Sequence, residues 1–194
     1  MSDIETHPLE PFLPENAKLL MMGSFPPPAT RWKMHFYYPN YQNDMWRIFG
    51  LIFFHNKDYF LDLANKNFQE MLIREFLLEK GIAIFDTAYQ IRRLKGNASD
   101  KFLEIVTPTD LNKLLSQMPL CHSIMTTGDK ATETLMLSMP EGTEKPMIGQ
   151  PSDAIFAGRD LKLYRMPSSS RAYPLALEKK AEAYRELFLD AGLI

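Results

Sequence analysis

The sequence predicts an α/β fold, a three-layer α/β/α sandwich around a mainly parallel, four-stranded central sheet. Two observations lead there. Four short apolar runs occur at residues 17–22, 82–85, 123–126 and 161–166. Each is followed by a loop and then by a helical pattern. Short apolar runs separated by helical patterns suggest parallel strands in an α/β layer.

The intervening helices follow from periodicity. Residues 44–54 place Met45, Ile48, Phe49 and Ile52 on one face. Residues 67–80 carry Met71, Leu72, Phe76 and Leu78 and stop at Gly81, a residue suited to the left-handed position past a helix end. Leu111, Leu114, Leu115 and Met118 recur at helical spacing, with Thr109 as the expected N-cap after Pro108. A fourth helix is expected over residues 129–139. A fifth is expected over 175–191, with Leu177, Ala181, Tyr184 and Phe188 in one stripe ending at Gly192. Residues 140–158 contain three prolines and three glycines and read as an exposed connection, with a short extended piece at 146–149. There is no internal repeat. One domain over residues 1–194 is expected, with residues 1–16 as an N-terminal extension.

Composition narrows the function. The 194 residues carry a formal net charge of −2, so any nucleic-acid contact must come from a local basic patch. Cys121 is the sole cysteine, which excludes an internal disulfide and cysteine-ligated clusters. His7, His35, His55 and His122 show no ligand spacing, and no metal or organic cofactor is expected. Residues 1–10 are polar and acidic, unlike a signal peptide, and no apolar run approaches the ~20 residues of a membrane span. A cytoplasmic monomer without membrane contact is expected.

In parallel α/β sheets, ligands sit beyond the C-terminal ends of the strands. Four loops fall there, at residues 23–28, 86–90, 127–130 and 167–171. Gly23 allows close backbone approach, and Pro26, Pro27 and Pro28 stiffen the loop. Tyr37, Tyr38, Asn40 and Asn43 join aromatic faces to amide donors and acceptors, which suits a nucleobase pocket. Core packing would claim at least one of the two tyrosines and Trp46, and capping would employ Asn43 or Asn40. Pro167, Ser168, Ser169, Ser170 and Arg171 offer hydroxyls, backbone N–H groups and a cation, suited either to phosphate or to a serine-capped helix start. Arg92, Arg93 and Lys95, before Gly96, are either a solvated basic face or further phosphate contacts. No P-loop, nucleophile elbow or HExxH motif occurs.

Together these stretches resemble the uracil-DNA glycosylase superfamily, most closely its hypoxanthine-DNA glycosylase branch. Gly23-Ser24-Phe25-Pro26 resembles the first motif. Tyr37-Tyr38-Pro39-Asn40-Tyr41-Gln42-Asn43-Asp44-Met45-Trp46 resembles Tyr-Tyr-x-His-Pro-x-Asn-x-Phe-Trp without a gap. Gly81-Ile82-Ala83-Ile84-Phe85-Asp86 resembles the second strand, and Gly128-Asp129-Lys130-Ala131 the third strand-to-helix turn. Met166-Pro167-Ser168-Ser169-Ser170-Arg171-Ala172 resembles Leu-Pro-Ser-Thr-Ser-Pro-Ala. The matches keep their order over residues 19–172. Asn40-Tyr41 stands where the family has His-Pro, Arg171 where it has proline, and Gly96-Asn97-Ala98-Ser99-Asp100 matches Gly-Ser-Leu-Asp-Ser loosely.

The resemblance implies flipping of a deaminated base, hypoxanthine or uracil, out of DNA and hydrolysis of its N-glycosidic bond in base excision repair, without metal or cofactor. Many members place a water-positioning Asn or Asp where this chain has Phe25. The hypoxanthine branch uses the Asn matched here by Asn43, which is therefore the expected catalytic residue. Gly23, Ser24, Phe25 and Tyr38 would bind the base. Ser168, Ser169 and Ser170 would pinch phosphates, and Arg171 or Ser170 would fill the gap left by the flipped nucleotide. Two rivals stand beside this reading: a non-catalytic nucleic-acid-binding protein of the same fold, and a hydrolase of free nucleosides or nucleotides.

Overall fold

The computed structural model describes residues 2–95 and 99–194. In chain order the elements are β1 (Glu5–Thr6), β2 (Leu19–Gly23), α1 (Met45–Phe54), β3 (Leu61–Asp62), β4 (Asn67–Phe68), α2 (Glu70–Lys80), β5 (Ile82–Asp86), β6 (Ala88–Arg93), β7 (Leu103–Pro108), α3 (Leu111–Leu115), β8 (Ser123–Thr127), α4 (Asp129–Met136), β9 (Ser152–Phe156), β10 (Arg159–Met166) and α5 (Leu177–Asp190). The central sheet has the order β5-β2-β8-β10-β9. The four anticipated strands pair in parallel, and every residue of β2, β5 and β8 is buried. Such burial requires cover on both faces.

Topology supplies that cover. The chain steps from β2 outward to β5, then crosses back over β2 to β8 and continues to β10. Right-handed crossovers place α1 and α2 on one face and α3 and α4 on the other. The last helix, α5, packs on α1, and Phe49, Phe53, Phe76 and Phe188 join α1, α2 and α5 into one aromatic layer. Trp46 lies fully buried in this core, its indole N–H donating to the Tyr37 carbonyl oxygen at 3.0 Å. The strand order reverses between β2 and β8, which run parallel, and this makes a topological switch point where the loops part and leave a crevice.

The sheet has five strands rather than four. Residues 140–158 are not one exposed connection: β9 lies within them and pairs antiparallel with β10. Ala157 and Gly158, both at positive φ, form the two-residue link, the geometry that matches strand twist in a tight hairpin. The anticipated extended piece is a narrow turn in which Met147 and Gln150 bridge. A second, antiparallel sheet, β1-β6-β7, was not anticipated from the sequence. The N-terminal extension joins both sheets: β1 pairs with β6, and Phe12 exchanges two backbone hydrogen bonds with Ile84 along the outer edge of β5.

Helix ends also differ from expectation. α2 starts three residues late because Asn67 and Phe68 pair with β3. Asp110, not Thr109, caps α3, accepting from the Lys113 N–H, while the Thr109 hydroxyl donates to the Asp86 carbonyl oxygen at 2.6 Å. Gly81 ends α2 at φ +72 as expected. Among the described residues no helix is long and apolar enough to cross a membrane.

Gly50 gives a test of packing against propensity. A Cβ there would lie 2.3 Å from the Asn56 carbonyl oxygen, where the chain turns back after α1. Ala is the better helix former by roughly 1 kcal/mol, yet the clash is with backbone and cannot swing away. Gly50→Ala should therefore lower stability by about 1–3 kcal/mol in urea unfolding; a stabilised variant would show that the turn relaxes freely.

Candidate active site

The register of the central sheet builds the site. Gly23 at the end of β2 lies opposite Asp86 at the end of β5, and Thr127 at the end of β8 lies opposite Met166 at the end of β10. All four loops therefore open at one level. Beyond them is a cleft of about 1190 Å³ at the switch point. It is lined by the residues to which the resemblance gives a role, Gly23, Ser24, Phe25, Tyr38, Asn43, Ser168, Ser169, Ser170 and Arg171, whereas Arg92, Arg93 and Lys95 lie outside it.

The first loop is held from below. The Gly23 carbonyl oxygen accepts from the Thr87 N–H and hydroxyl, and the Ser24 carbonyl oxygen accepts from the Ala88 N–H. Phe25 is buried against Ala88, Ile91 and Leu103 and meets His7 edge-to-face at 5.2 Å. It forms wall and support and offers no polar group. Arg93 pins the same loop by donating to the Pro26 carbonyl oxygen at 2.7 Å while pairing with Glu5. Arg92 pairs with Glu104, and the Lys95 ammonium sits over the Phe102 ring. This basic cluster is thus largely engaged within the protein. Gly96, Asn97 and Ala98, with their part of the loose Gly-Ser-Leu-Asp-Ser match, lie outside the described residues.

The floor holds a group that sequence reading passed over. Asp86 is buried, and its Oδ2 lies 2.7 Å from Nε2 of the buried His7. Nδ1 of that ring lies 3.1 Å from the Leu9 nitrogen and 3.2 Å from the Leu9 carbonyl oxygen, which fixes the ring with Nε2 toward Asp86. The other oxygen, Oδ1, has no hydrogen-bond partner among the described residues. A Cβ built on Gly23 would meet Asp86 Oδ1 at 2.8 Å, the Tyr38 hydroxyl at 3.3 Å and Thr127 Oγ1 at 3.7 Å. Three side-chain oxygens thus converge on the bare face of Gly23. Burial, then the Asp86 charge, holds the Tyr38 hydroxyl well above the usual phenol range. Tyr38 adopts φ +52, a left-handed backbone uncommon for an aromatic residue and a recurrent mark of functional loops. Tyr37, by contrast, is core, its hydroxyl donating to the Glu10 carbonyl oxygen.

Asn43 takes the helix-start role weighed from the sequence and also lines the cleft. Its Oδ1 accepts from the Met45 N–H at 2.9 Å, an Asx turn that starts α1 ahead of the N-cap Asp44. That bond fixes the amide orientation, so Nδ2 is the end left over, without a partner among the described residues. Asn40 makes a similar turn, accepting from the Gln42 N–H.

The late loop is not a helix cap. α5 begins at Leu177 behind Ala176, six residues after Arg171. Instead the loop turns on itself, Ser168 Oγ accepting from the Ser170 N–H and Ser170 Oγ from the Ala172 N–H. The Pro167 carbonyl oxygen accepts from the buried Tyr184 hydroxyl, and the Ser169 carbonyl oxygen from the Asp44 N–H. Arg171 reaches Gln42 Oε1 at 3.2 Å and Asp44 Oδ1 at 3.3 Å. At the opposite rim Asp100 lines the cleft. Burial raises its carboxyl pKa; the Asp86 charge adds to the rise, while a Ser24 hydrogen bond and the cations Arg93 and Lys130 oppose it.

No family model matches the chain, and no curated protein does. Among solved structures, the solution NMR structure of a "putative uracil DNA glycosylase" from Methanosarcina acetivorans is similar at 23% identity, with a TM-score of 0.62. The match covers 95% of this chain and 99% of that one, so the two share one fold from end to end.

Proposed function

We propose that the chain is a monofunctional DNA glycosylase that draws a deaminated base, hypoxanthine or uracil, into the cleft and hydrolyses its N-glycosidic bond. The observation that carries the proposal is the pairing of two fixed, unused polar atoms in one cleft, Asn43 Nδ2 and Asp86 Oδ1, with a serine loop and Arg171 on the same rim. The shared fold with the Methanosarcina acetivorans protein supports the same reading.

The chemistry follows from the donors and acceptors. Hypoxanthine presents an N1–H beside a carbonyl, and uracil an N3–H between carbonyls. Asp86, oriented by His7, accepts such an N–H. Adenine N1 and cytosine N3 carry lone pairs instead and would face the carboxylate with no proton between, which costs the full desolvation of both groups. As the C1′–N bond breaks, its electron pair passes to the base. Asn43 Nδ2 donates to the oxygen where that charge gathers, and water adds to C1′, its proton going to solvent or to the departing base. Tyr38 offers a ring for stacking, a contact that contributes ~1–3 kcal/mol per base in related settings. Ser168, Ser169, Ser170 and Arg171 face the phosphates, with Arg171 or Ser170 entering the space the base leaves.

A second reading has one observation in its favour. Phe25 brings no polar group to the first loop, so a protein that binds damaged DNA without cleaving it fits that part of the cleft. Incubation with oligonucleotides bearing hypoxanthine, uracil or xanthine, single- and double-stranded, separates the two, and free inosine and uridine test the nucleoside hydrolase.

Two variants test the roles. Asn43→Ala should slow base release about 10²–10³-fold, the usual cost of one preorganised donor, and also lose about 0.5–2 kcal/mol of stability through the broken turn. Asn43→Asp keeps the turn and lacks the Nδ2 donor, so it should melt near the wild type and remain slow in single turnover. A fast Asn43→Asp enzyme would remove the amide from the mechanism. Asp86→Asn should cut release of hypoxanthine and uracil by about tenfold to hundredfold, the worth of a charge-assisted hydrogen bond, and narrow their advantage over adenine and cytosine. An unchanged ratio between bases would show that Asp86 does not read them.

A further inference from the structure

Asp44 is surrounded by more positive charge than it balances. Its carboxylate lies 3.6 Å from Arg47 Nη1, 3.3 Å from Arg171 Nη2 and 3.4 Å from Lys180 Nζ. Among the described residues no other carboxylate lies within ion-pair distance of these three. Arg47 and Lys180 cannot leave. Lys180 is 1% exposed and also donates to the Ser170 carbonyl oxygen at 2.8 Å. The buried Arg47 donates to the Tyr41 and Asn43 carbonyl oxygens at 2.9 Å and lies over the Tyr41 ring. Arg171 alone is exposed, and its guanidinium reaches the pair from the cleft rim.

We infer that Arg171 is a latch, resting on Asp44 in the free protein and transferring to a nucleic-acid phosphodiester on binding, and that Lys180 is the positioning residue that permits the transfer. The inference rests on the glycosylase reading for its ligand. When Arg171 swings out, Asp44 is not left as an uncompensated buried charge, because Lys180 and Arg47 stay beside it. Departure also relieves a repulsion: burial first, and the Arg171 charge next, hold the Arg47 guanidinium below its usual range. The loop keeps its shape throughout, since Lys180 holds the Ser170 carbonyl and the Arg171 N–H stays on the Gln42 carbonyl oxygen at 3.1 Å. Only the guanidinium has to move. With three cations on one carboxylate, the cluster lacks a negative partner, and a phosphate supplies it.

The test is anisotropy of a labelled hypoxanthine-containing duplex between about 50 and 200 mM salt, where phosphate contacts set the slope of log affinity against log salt. Lys180→Met should tie Arg171 to Asp44, weakening binding and making the slope shallower by about one. Lys180→Met with Asp44→Asn should restore the slope, which a merely structural loss would not. Asp44→Asn alone should bind more tightly than the wild type at low salt. If Lys180→Met does not fold in a thermal melt, Asp44→Asn decides, and affinity and slope equal to the wild type overturn the latch. A wild type that binds and cleaves, with both single variants matching it in affinity and slope, overturns the latch alone. A wild type with no affinity for the duplex overturns the latch and the glycosylase reading together.

Discussion

Gly23 has no side chain, and the cleft floor depends on that. It ends the central strand β2 directly opposite Asp86, and any Cβ would strike Oδ1 of that residue at 2.8 Å. Tyr38 and Thr127 bring their hydroxyls to the same bare face. Three oxygens from three different segments can therefore approach one point on the backbone. Parallel pairing does the rest, since it sets the ends of β2, β5, β8 and β10 level. The sheet supplies rigidity, and the loops above it supply chemistry without having to build their own foundation.

Charge in the cleft is arranged in two separate groups. At the floor, the His7 imidazole meets one oxygen of the Asp86 carboxyl, and the other lies against the bare face of Gly23. At the rim, one carboxylate holds a surplus of cations, two of them buried. The floor thus suits a group with a hydrogen to give, and the rim suits an anion. A nucleotide presents both characters, with a base at one end and phosphate at the other. The chain's net charge of −2 conceals this polarity, because the basic group is local.

Much of this was legible in the sequence, for identifiable reasons. β2 and β5 announced themselves as nearly unbroken apolar runs because both their faces are buried, and β8 and β10 by shorter apolar stretches followed by a loop and a helical pattern. Gly23, Tyr38, Asn43 and the serine run stood out because small, aromatic and amide residues interrupt that apolar pattern at the strand ends. β9 was hidden because an edge strand alternates, and Ser152 to Phe156 sit among prolines and glycines. The β1-β6-β7 sheet was hidden because its first strand lies over 80 residues from its partner. The same distance concealed His7 beneath Asp86. Lys180 left a faint signal: it falls between Leu177 and Tyr184 on the apolar stripe of α5, where a lysine is out of place unless paired. What pattern reading lacks is pairing across the chain, and the unanticipated site residues are those whose role comes from a distant partner.

The pairing of Asp44 with Lys180 spans 136 residues, and that of His7 with Asp86 spans 79. A ribosome delivers residues 7 and 86 well before residue 180. During synthesis the sheet strands β2, β5 and β8 are available well before α5, which brings the buried ammonium to the N-terminus of α1. Until then Asp44 and the Ser170 carbonyl lack the group that joins them. The nascent protein therefore carries a floor without a finished rim, and the rim is completed only once α5 has been made.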